Sequence, residues 1–349
     1  MSETPLLVRD VAEEALLARI FPLLPAAPTT IVGPGDDCAV VAAPDGRYVV
    51  STDVLVEDRH FRRRWSSGYD VGWRAAVQNL ADVVAMGSRP AALVVSLVMP
   101  GDLPVDWVTG LARGLAAACT PVGAAVVGGD LSGGDQVVVA VTVHGDLEGR
   151  EPVLRSGARP GDVVAMAGTL GRSAAGLALL ELGRPDPELA DAYLRPDPPL
   201  AAGPLAADAG ATAMMDVSDG LLRDAGRIAR ASGVRLDLTS AALDSDRAAL
   251  ADAARVAAAG GPVGAGGPGT VVAVEGAVEG ADDWRVLTDD WVLAGGEDHA
   301  LLATFPPGAS MPAPFRAIGT VAASGGSPGV AVDGAPPRRR ATGWDHFGE

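Results

Sequence analysis

The sequence contains no lysine, and all 27 of its basic residues are arginine. A P-loop requires a lysine after its glycine-rich run, and a protein kinase requires one on a strand beside the nucleotide, so both modes of nucleotide binding are excluded. Positive charge of any kind is scarce, because 44 acidic residues leave a formal net charge of -17. That charge would repel a nucleic-acid backbone or an anionic membrane, and we expect neither as a partner.

Cysteine and long apolar runs are equally scarce. The two cysteines, Cys38 and Cys119, are far apart and neither belongs to a C-x-x-C pair, which excludes a disulfide framework and a zinc knuckle. No apolar stretch approaches the ~18 residues that a membrane-spanning helix needs, and the first residues lack a basic segment. The four histidines lack zinc-site spacing. We therefore expect a soluble, cytoplasmic protein.

Length and apolar content predict two domains with substantial cores. The chain has 349 residues, of which 48% are hydrophobic. Helical and strand patterns alternate in the first half, as they do in α/β or α+β layers. Turn residues and charges interrupt this rhythm between 149 and 161, so we predict domains at 1–149 and 150–349. The glycine-rich and proline-rich stretch 260–269 is expected to be a surface loop.

Periodicity and turn chemistry predict the individual elements. A proline-glycine turn at 44–47 predicts that the strands on either side of it form a hairpin. The predicted helices are 11–24, 69–86, 105–118, 173–182, 200–209 and 220–231. The predicted strands are 38–43, 48–54, 93–99, 124–127, 137–143, 162–166, 211–215, 236–238, 300–305 and 315–321.

The most informative run is Asp216-Val217-Ser218-Asp219-Gly220, which places two carboxylates and a hydroxyl where a strand becomes a helix. Helix capping would explain Ser218 as the N-cap and Asp219 in the first turn, but it leaves Asp216 unexplained. Other acidic runs beside glycines or at the ends of apolar segments are Gly35-Asp36-Asp37, Ser51-Thr52-Asp53, Asn79-Leu80-Ala81-Asp82, Gly128-Gly129-Asp130 and Gly295-Gly296-Glu297-Asp298.

Each of these runs alone is also typical of an ordinary turn, but six of them in one chain indicate a shared site. Crowded carboxylates remain ionised only when cations lie between them, so the set predicts a magnesium site that holds polyphosphate. Ser51 and Asp53 share one face of a strand, and Thr52 offers its backbone carbonyl to a hard cation. Gly128 and Gly129 would let backbone amides approach a phosphate at the end of a strand.

In their order along the chain, these motifs resemble those of the thiamine-monophosphate kinase family. The resemblance extends to further segments: Val54-Leu55-Val56-Glu57 with His60-Phe61, Ala85-Met86-Gly87, Arg155-Ser156-Gly157-Ala158, Pro160-Gly161-Asp162 and Trp344-Asp345-His346-Phe347. It implies the two-domain fold of aminoimidazole-ribonucleotide-synthetase-like proteins. In that fold the N-terminal domain binds ATP and magnesium and forms a dimeric, barrel-like sheet, and the C-terminal α/β domain completes the active site.

The family resemblance also implies ATP-dependent phosphorylation of thiamine monophosphate to thiamine diphosphate in a homodimer. By position, several magnesium ions would be held by Asp37, Ser51, Thr52, Asp53, Asp82, Asp130, Asp216 and Asp219. ATP would be contacted by Gly129, Asp130, Arg155 and Ser218. Thiamine monophosphate would be contacted by His60, Glu297 and Trp344.

This chemistry requires no catalytic side chain, because metal ions neutralise the phosphates and a phosphate oxygen is already deprotonated near neutral pH. Two departures from the family pattern stand out. Leu131, Ser132, Gly133 and Gly134 replace two threonines and an arginine, and His299-Ala300 replaces a tyrosine and a glutamate. Two alternatives remain open: another ATP-dependent enzyme of the same superfamily, or a catalytically decayed regulatory protein that binds nucleotide or metal.

Overall fold

The computed structural model describes residues 5–34, 38–259 and 283–337. The chain divides into two compact units, of which unit 1 comprises Met1–Val84 and Ser88–Arg150 and unit 2 comprises Ala85–Gly87 and Glu151–Glu349. No helix in the described ranges has the length and apolar character needed to cross a membrane. The loop predicted at 260–269 lies outside the described residues.

Unit 1 is a four-stranded sheet with two long helices and a separate two-stranded ribbon. Its sheet has the strand order β3-β6-β4-β5, in which only β4 and β5 are parallel. The helices are α1 (Glu13–Ile20), α2 (Gly68–Ala85) and α3 (Val105–Cys119). The strands are β1 (Thr30–Val32), β2 (Val40–Val41), β3 (Val49–Val56), β4 (Arg89–Met99), β5 (Ala125–Gly133) and β6 (Val138–Asp146).

The predicted hairpin around residues 44–47 is wrong. Strand β2 pairs with β1, whereas β3 pairs with β6 in eight successive positions from Val49 opposite Gly145 to Val56 opposite Val138. The turn therefore connects two different sheets. Strand β6 is a long run rich in valine, and pairing with it gives β3 many more ladder contacts than the two residues of β2 could provide.

Two glycines let α2 and α3 pack with their backbones in contact. A Cβ on Gly72 would lie 2.1 Å from the carbonyl oxygen of Leu111, and one on Gly114 would lie 2.0 Å from that of Tyr69. Both distances are well below van der Waals contact, so no other residue fits either position without moving a helix. The packing fixes α2, which carries Asn79 and Asp82 toward its C-terminal end.

Unit 2 is a six-stranded sheet whose order is β12-β9-β11-β7-β10-β8, with only the β12–β9 pair parallel. One hydrophobic cluster joins α4, α7, α8 and α9 to the sheet, and its largest member, Trp291, is fully buried. The strands are β7 (Val163–Ala167), β8 (Ala213–Val217), β9 (Val234–Leu238), β10 (Ala300–Phe305), β11 (Arg316–Ala323) and β12 (Gly329–Val332). The helices are α4 (Arg172–Glu181), α5 (Pro187–Leu194), α6 (Ala202–Asp208), α7 (Leu221–Ser232), α8 (Asp244–Ala258) and α9 (Asp283–Ala294).

Both units combine helices with a sheet, which confirms the predicted α/β class with its α+β layering. Every helix predicted from periodicity is present within a few residues of its expected bounds. The sequence patterns do not predict helices α5, α8 and α9 or strands β1 and β12. Strand β8 is at the edge of the unit 2 sheet and pairs with β10, which places Asp216 opposite Leu301.

Candidate active-site residues

Strand β3 and helix α2 bring one group of candidate residues together in unit 1. Ser51 and Asp53 lie on the same face of β3, as strand alternation predicts. The Ser51 hydroxyl donates to a carboxylate oxygen of Asp82 at 2.6 Å, and the backbone N–H of Asp53 donates to the side-chain oxygen of Asn79 at 3.1 Å. The Asn79 amide in turn donates to the carbonyl of Ala75 at 2.9 Å. This network holds one hydroxyl and two carboxylates where the strand faces the helix.

The side chain of Thr52 points to the opposite face of β3. Its hydroxyl donates to the carbonyl of Val141 at 2.9 Å and accepts from the hydroxyl of Thr142 at 3.2 Å. The side chain is therefore committed to the sheet face that Val50 and Val54 share. A metal contact from Thr52 must come from its backbone carbonyl, as the sequence reading supposed.

His60 lies in the turn that follows β3. Its Nδ1 accepts a hydrogen bond from the backbone N–H of Val56 at 3.0 Å, so a neutral ring carries its proton on Nε2. Glu57 in the same turn is buried; its carboxylate pairs with Arg63 and accepts from the backbone N–H of Val137 at 3.1 Å. The two contacts explain Glu57 as a support of the turn that carries His60.

Gly128, Gly129 and Asp130 belong to strand β5, so the expectation that this strand ends at Val127 is wrong. Strand β5 continues to Gly133 and pairs in parallel with β4, with Gly129 opposite Val95 and Asp130 opposite Ser96. A Cβ on Gly129 would lie 1.9 Å from the carbonyl oxygen of Val95, so the close pairing requires glycine. Asp130 is exposed on this edge strand.

A cavity of about 850 Å³ lies beside the Gly128–Leu131 segment in unit 1. Its walls are mainly apolar side chains of α1, α3, β4 and β5, and Gly129 and Asp130 contribute to its lining. The rings of Tyr48 and His144 also line it and meet edge to face, with their centroids 5.7 Å apart. An apolar space with a few polar groups at its border suits a flat aromatic ligand.

In unit 2, two loops interlock at the ends of β8 and β10. The backbone N–H of Glu297 donates to the carbonyl of Ser218 at 2.8 Å, and that of His299 donates to Val217 at 3.1 Å. A Cβ on Gly296 would lie 2.2 Å from the carbonyl oxygen of Ser218, so the approach depends on that glycine. Glu297 and His299 both adopt the left-handed region, with φ of 70° and 53°.

Asp219 faces cationic side chains of α7. Its carboxylate lies 2.5 Å from a guanidinium nitrogen of Arg227 and 3.7 Å from one of Arg223. Its backbone N–H donates to Asp224 at 3.0 Å, and Asp224 pairs with Arg227 at 2.5 Å. Helix α7 begins at Leu221 with Gly220 as its N-cap, so Ser218 is not the N-cap that the sequence suggested.

Asp216 is a buried carboxylate with a histidine beside it. It is 3% exposed, and one carboxylate oxygen lies 3.2 Å from Nδ1 of His299. Burial alone would lower the pKa of His299, but the carboxylates of Asp216 and Glu297 outweigh it and raise the pKa to about 10. Burial raises the pKa of Asp224 to about 7, and the nearby charge of Asp216 adds to the rise.

Asp298 caps helix α4. Its carboxylate accepts from the backbone N–H groups of Gly171, Arg172 and Ser173 at 2.9, 3.1 and 3.3 Å. Burial raises its pKa to about 7, although these three hydrogen bonds favour the charged form. Within the Gly295–Asp298 run, Asp298 therefore serves the fold by holding the first turn of α4.

The remaining candidates are less informative. Arg155 is exposed, and only its backbone carbonyl has a described contact, from the hydroxyl of Ser232 at 2.8 Å. Asp37 and Trp344 lie outside the described residues. Within the described part of the chain, no three His, Cys, Asp or Glu side chains form a group that could hold a metal ion.

The donor chemistry nevertheless fits magnesium. The hydroxyl of Ser51 and the carboxylates of Asp53 and Asp82 present oxygen atoms, which are the ligands that this hard cation prefers.

Asp224, Arg227 and His299 were not assigned roles from the sequence. The spacing of Asp224 and Arg227, three residues apart on a helix, was a detectable signal for an ion pair.

Two family models define the class of protein to which this chain is similar. Residues 35–147 match the N-terminal domain of AIR synthase related proteins, and residues 159–263 match their C-terminal domain. The thiamine-monophosphate kinase of Mycobacterium tuberculosis is 46% identical over 349 residues, which cover 100% of this chain and 95% of that protein. The thiamine-monophosphate kinase of Corynebacterium glutamicum is 42% identical, over 90% of this chain and 88% of that protein.

A solved structure of AaThiL complexed with AMPPCP and TMP has a TM-score of 0.68 and 31% identity, and the match covers 99% of this chain and 100% of that one. The chain belongs to the thiamine-monophosphate kinase family. The resemblance read from the sequence motifs is thereby confirmed, and so is the two-domain fold that it implied.

Proposed function

We propose that this chain transfers the γ-phosphoryl group of ATP to the phosphate of thiamine monophosphate, giving thiamine diphosphate and ADP. The observation that carries the proposal is the 46% identity to a thiamine-monophosphate kinase along the entire chain. The network of Ser51, Asp53 and Asp82 supports it, because it presents oxygen donors suited to a metal-assisted transfer.

Several magnesium ions are part of the proposal. When bound, they would neutralise the phosphate charges and align the attacking oxygen with the leaving group. The residues proposed to hold them are Asp37, Ser51, Thr52, Asp53, Asp82, Asp130, Asp216 and Asp219. Asp219 pairs with Arg227, and we expect this ion pair to hold the carboxylate in position at the start of α7.

The transfer is proposed to be direct and in line, without a phosphoenzyme. A phosphate oxygen of thiamine monophosphate attacks the γ-phosphorus, the bond from that phosphorus to the bridging oxygen breaks, and ADP leaves. The second pKa of a phosphate monoester is about 6, so the attacking oxygen is already deprotonated and no side chain is required as a general base.

We assign the two substrates to different residues. ATP is proposed to contact Gly129, Asp130, Arg155 and Ser218, with its adenine in the apolar cavity beside β5, where Tyr48 and His144 offer aromatic edges. Thiamine monophosphate is proposed to contact His60, Glu297 and Trp344. The hydrogen bond from the backbone N–H of Val56 to Nδ1 fixes the orientation of the His60 ring in the turn after β3.

A homodimer is proposed, with the unit 1 sheet as its interface. Val50, Val54 and Val94 are 59%, 45% and 37% exposed and share one sheet face with Thr52 and Thr142. A sheet face with this much exposed valine is typical of an interface, and a second copy supplies a matching apolar face through two-fold symmetry. Unit 1 would then carry dimerisation together with ATP and magnesium binding, and unit 2 would supply further active-site residues.

The cell compartment is proposed to be the cytoplasm. Both cysteines are free, and Cys119 is buried with its pKa raised to about 12 by burial, so it has little tendency to react. Unpaired thiols are typical of a reducing compartment.

Isothermal titration calorimetry tests the proposal against its alternatives. Thiamine monophosphate should bind in the presence of magnesium and a non-hydrolysable ATP analogue. A chain that binds the nucleotide but does not bind thiamine monophosphate would favour a regulatory protein. Binding of aminoimidazole ribonucleotide or its formylated precursor in place of thiamine monophosphate would favour a different enzyme of the superfamily.

A further inference from the structure

His299 is placed between two carboxylates to which the proposed function gives different tasks. Its side chain is 4% exposed, next to Asp216 (5%) on one side and Glu297 (32%) on the other. The pairing of β8 with β10 creates this arrangement, because it brings residues 216 and 299 together across 83 positions of sequence. Asp216 is a proposed magnesium ligand, and Glu297 a proposed thiamine contact.

The contact to Asp216 is already made. Nδ1 of His299 lies 3.2 Å from a carboxylate oxygen of Asp216, within hydrogen-bonding distance. The backbone holds the ring there, because the N–H of His299 donates to Val217, the residue after Asp216, at 3.1 Å. His299 therefore fixes the direction in which a buried carboxylate points.

The contact to Glu297 is nearly made. Nε2 of His299 is buried and has no hydrogen-bond partner among the described residues. It lies 3.8 Å from a carboxylate oxygen of Glu297, a gap that a rotation of the glutamate side chain can close. A buried polar nitrogen left without a partner is costly, so a working arrangement in which Nε2 meets that carboxylate is favoured.

We propose that His299 is a positioning residue that holds Asp216 through Nδ1 and Glu297 through Nε2, and so aligns a magnesium ligand with a thiamine-contacting residue through one ring. This inference depends on the roles proposed above for Asp216 and Glu297. It predicts that the two nitrogens have separable effects, the first on magnesium and the second on thiamine monophosphate.

Two amide substitutions separate the nitrogens. The amide of His299→Asn reaches about the position of Nδ1, and that of His299→Gln about the position of Nε2, so each variant keeps one contact and serves as the control for the other. His299→Phe keeps the ring volume and loses both contacts. Two quantities are measured for the wild type and each variant. The first is the dissociation constant of thiamine monophosphate, by calorimetry with magnesium and a non-hydrolysable ATP analogue. The second is the magnesium midpoint, which is the magnesium concentration that gives half of the magnesium-induced rise in Tm.

We expect His299→Asn to weaken thiamine monophosphate binding about tenfold, the effect of one lost hydrogen bond to a charged group, with the magnesium midpoint unchanged. We expect His299→Gln to raise the magnesium midpoint by a similar factor with thiamine monophosphate binding unchanged, and His299→Phe to do both. Equal effects of the Asn and Gln variants on both readouts, or no effect of either, would overturn the inference.

The outcome is distinguishable from failure of the proposed function. If the wild-type chain does not bind thiamine monophosphate at all, the proposed function fails. The magnesium midpoints of the Asn and Gln variants then still decide whether His299 holds Asp216, because that readout requires no thiamine substrate.

Discussion

The substitution Asp82→Asn tests the magnesium assignment in unit 1. It removes one negative charge from the strand–helix network but keeps an oxygen that can accept from Ser51, whose hydroxyl donates to Asp82 at 2.6 Å. Replacing a charged acceptor by a neutral one costs about 1 kcal/mol of unfolding free energy, which lowers Tm by about 2–4 °C in a domain of this size class. Loss of an outer-shell partner of a metal ligand costs about 10–100-fold in activity, so loss of a ligand charge should reduce kcat at least about 100-fold.

The assay is thiamine diphosphate formation at saturating ATP and magnesium, with Tm measured on the same preparations. Asp106→Asn is the control, because Asp106 is an exposed acid in the first turn of α3 in the same unit. We expect the control to keep wild-type kcat. An Asp82→Asn variant that retained more than half of wild-type kcat would remove Asp82 from the metal site, and one whose Tm collapsed would show that the carboxylate serves the fold.

Three further predictions concern the dimer, the interlocked loops and the buried cap. Val54→Asp should convert the proposed homodimer to a monomer in light scattering, because it places a charge in the apolar sheet face. Val256→Asp, at an exposed position in unit 2, should leave that dimer intact. Gly296→Ala should lower stability by about 1–3 kcal/mol and reduce activity, since its Cβ would lie 2.2 Å from a carbonyl oxygen, whereas Gly329→Ala has open space and should be tolerated. Burial raises the folded-state pKa of Asp298 from 3.8 to about 7, so its contribution to stability is present below pH 3.8 and is lost as pH rises through 7. Asp298→Asn should therefore flatten the fall of Tm over that pH window. An unchanged profile of Tm against pH would refute this assignment.

Local patterns predicted most of the elements. The apolar spacing of α2 and α3 and the short apolar run of β10, which is buried at every position, identify those elements. The turn at 44–47 misled because its chemistry specifies a reversal of the chain without specifying a partner strand. Strand β3 instead pairs with β6, about ninety residues later, because β6 is a long, valine-rich strand that can pair with every residue of β3.

Glycines were the second source of error. The predicted strand 124–127 stops before Gly128 and Gly129, yet both glycines continue β5, because Gly129 is required by the approach of Val95 and not by a turn. The placement of Ser51 and Asp53 on the same face of β3 was predictable from strand geometry alone, because the two residues are two positions apart. The contact of His299 with Asp216 was not, because it exists only once β8 and β10 have paired.

The formation of thiamine diphosphate by the purified chain tests the central claim most directly. With ATP, magnesium and thiamine monophosphate present, the account predicts that thiamine diphosphate and ADP appear in equal amounts and that neither appears when magnesium is withheld. Release of ADP and inorganic phosphate without thiamine diphosphate, or no turnover of thiamine monophosphate under these conditions, would contradict it.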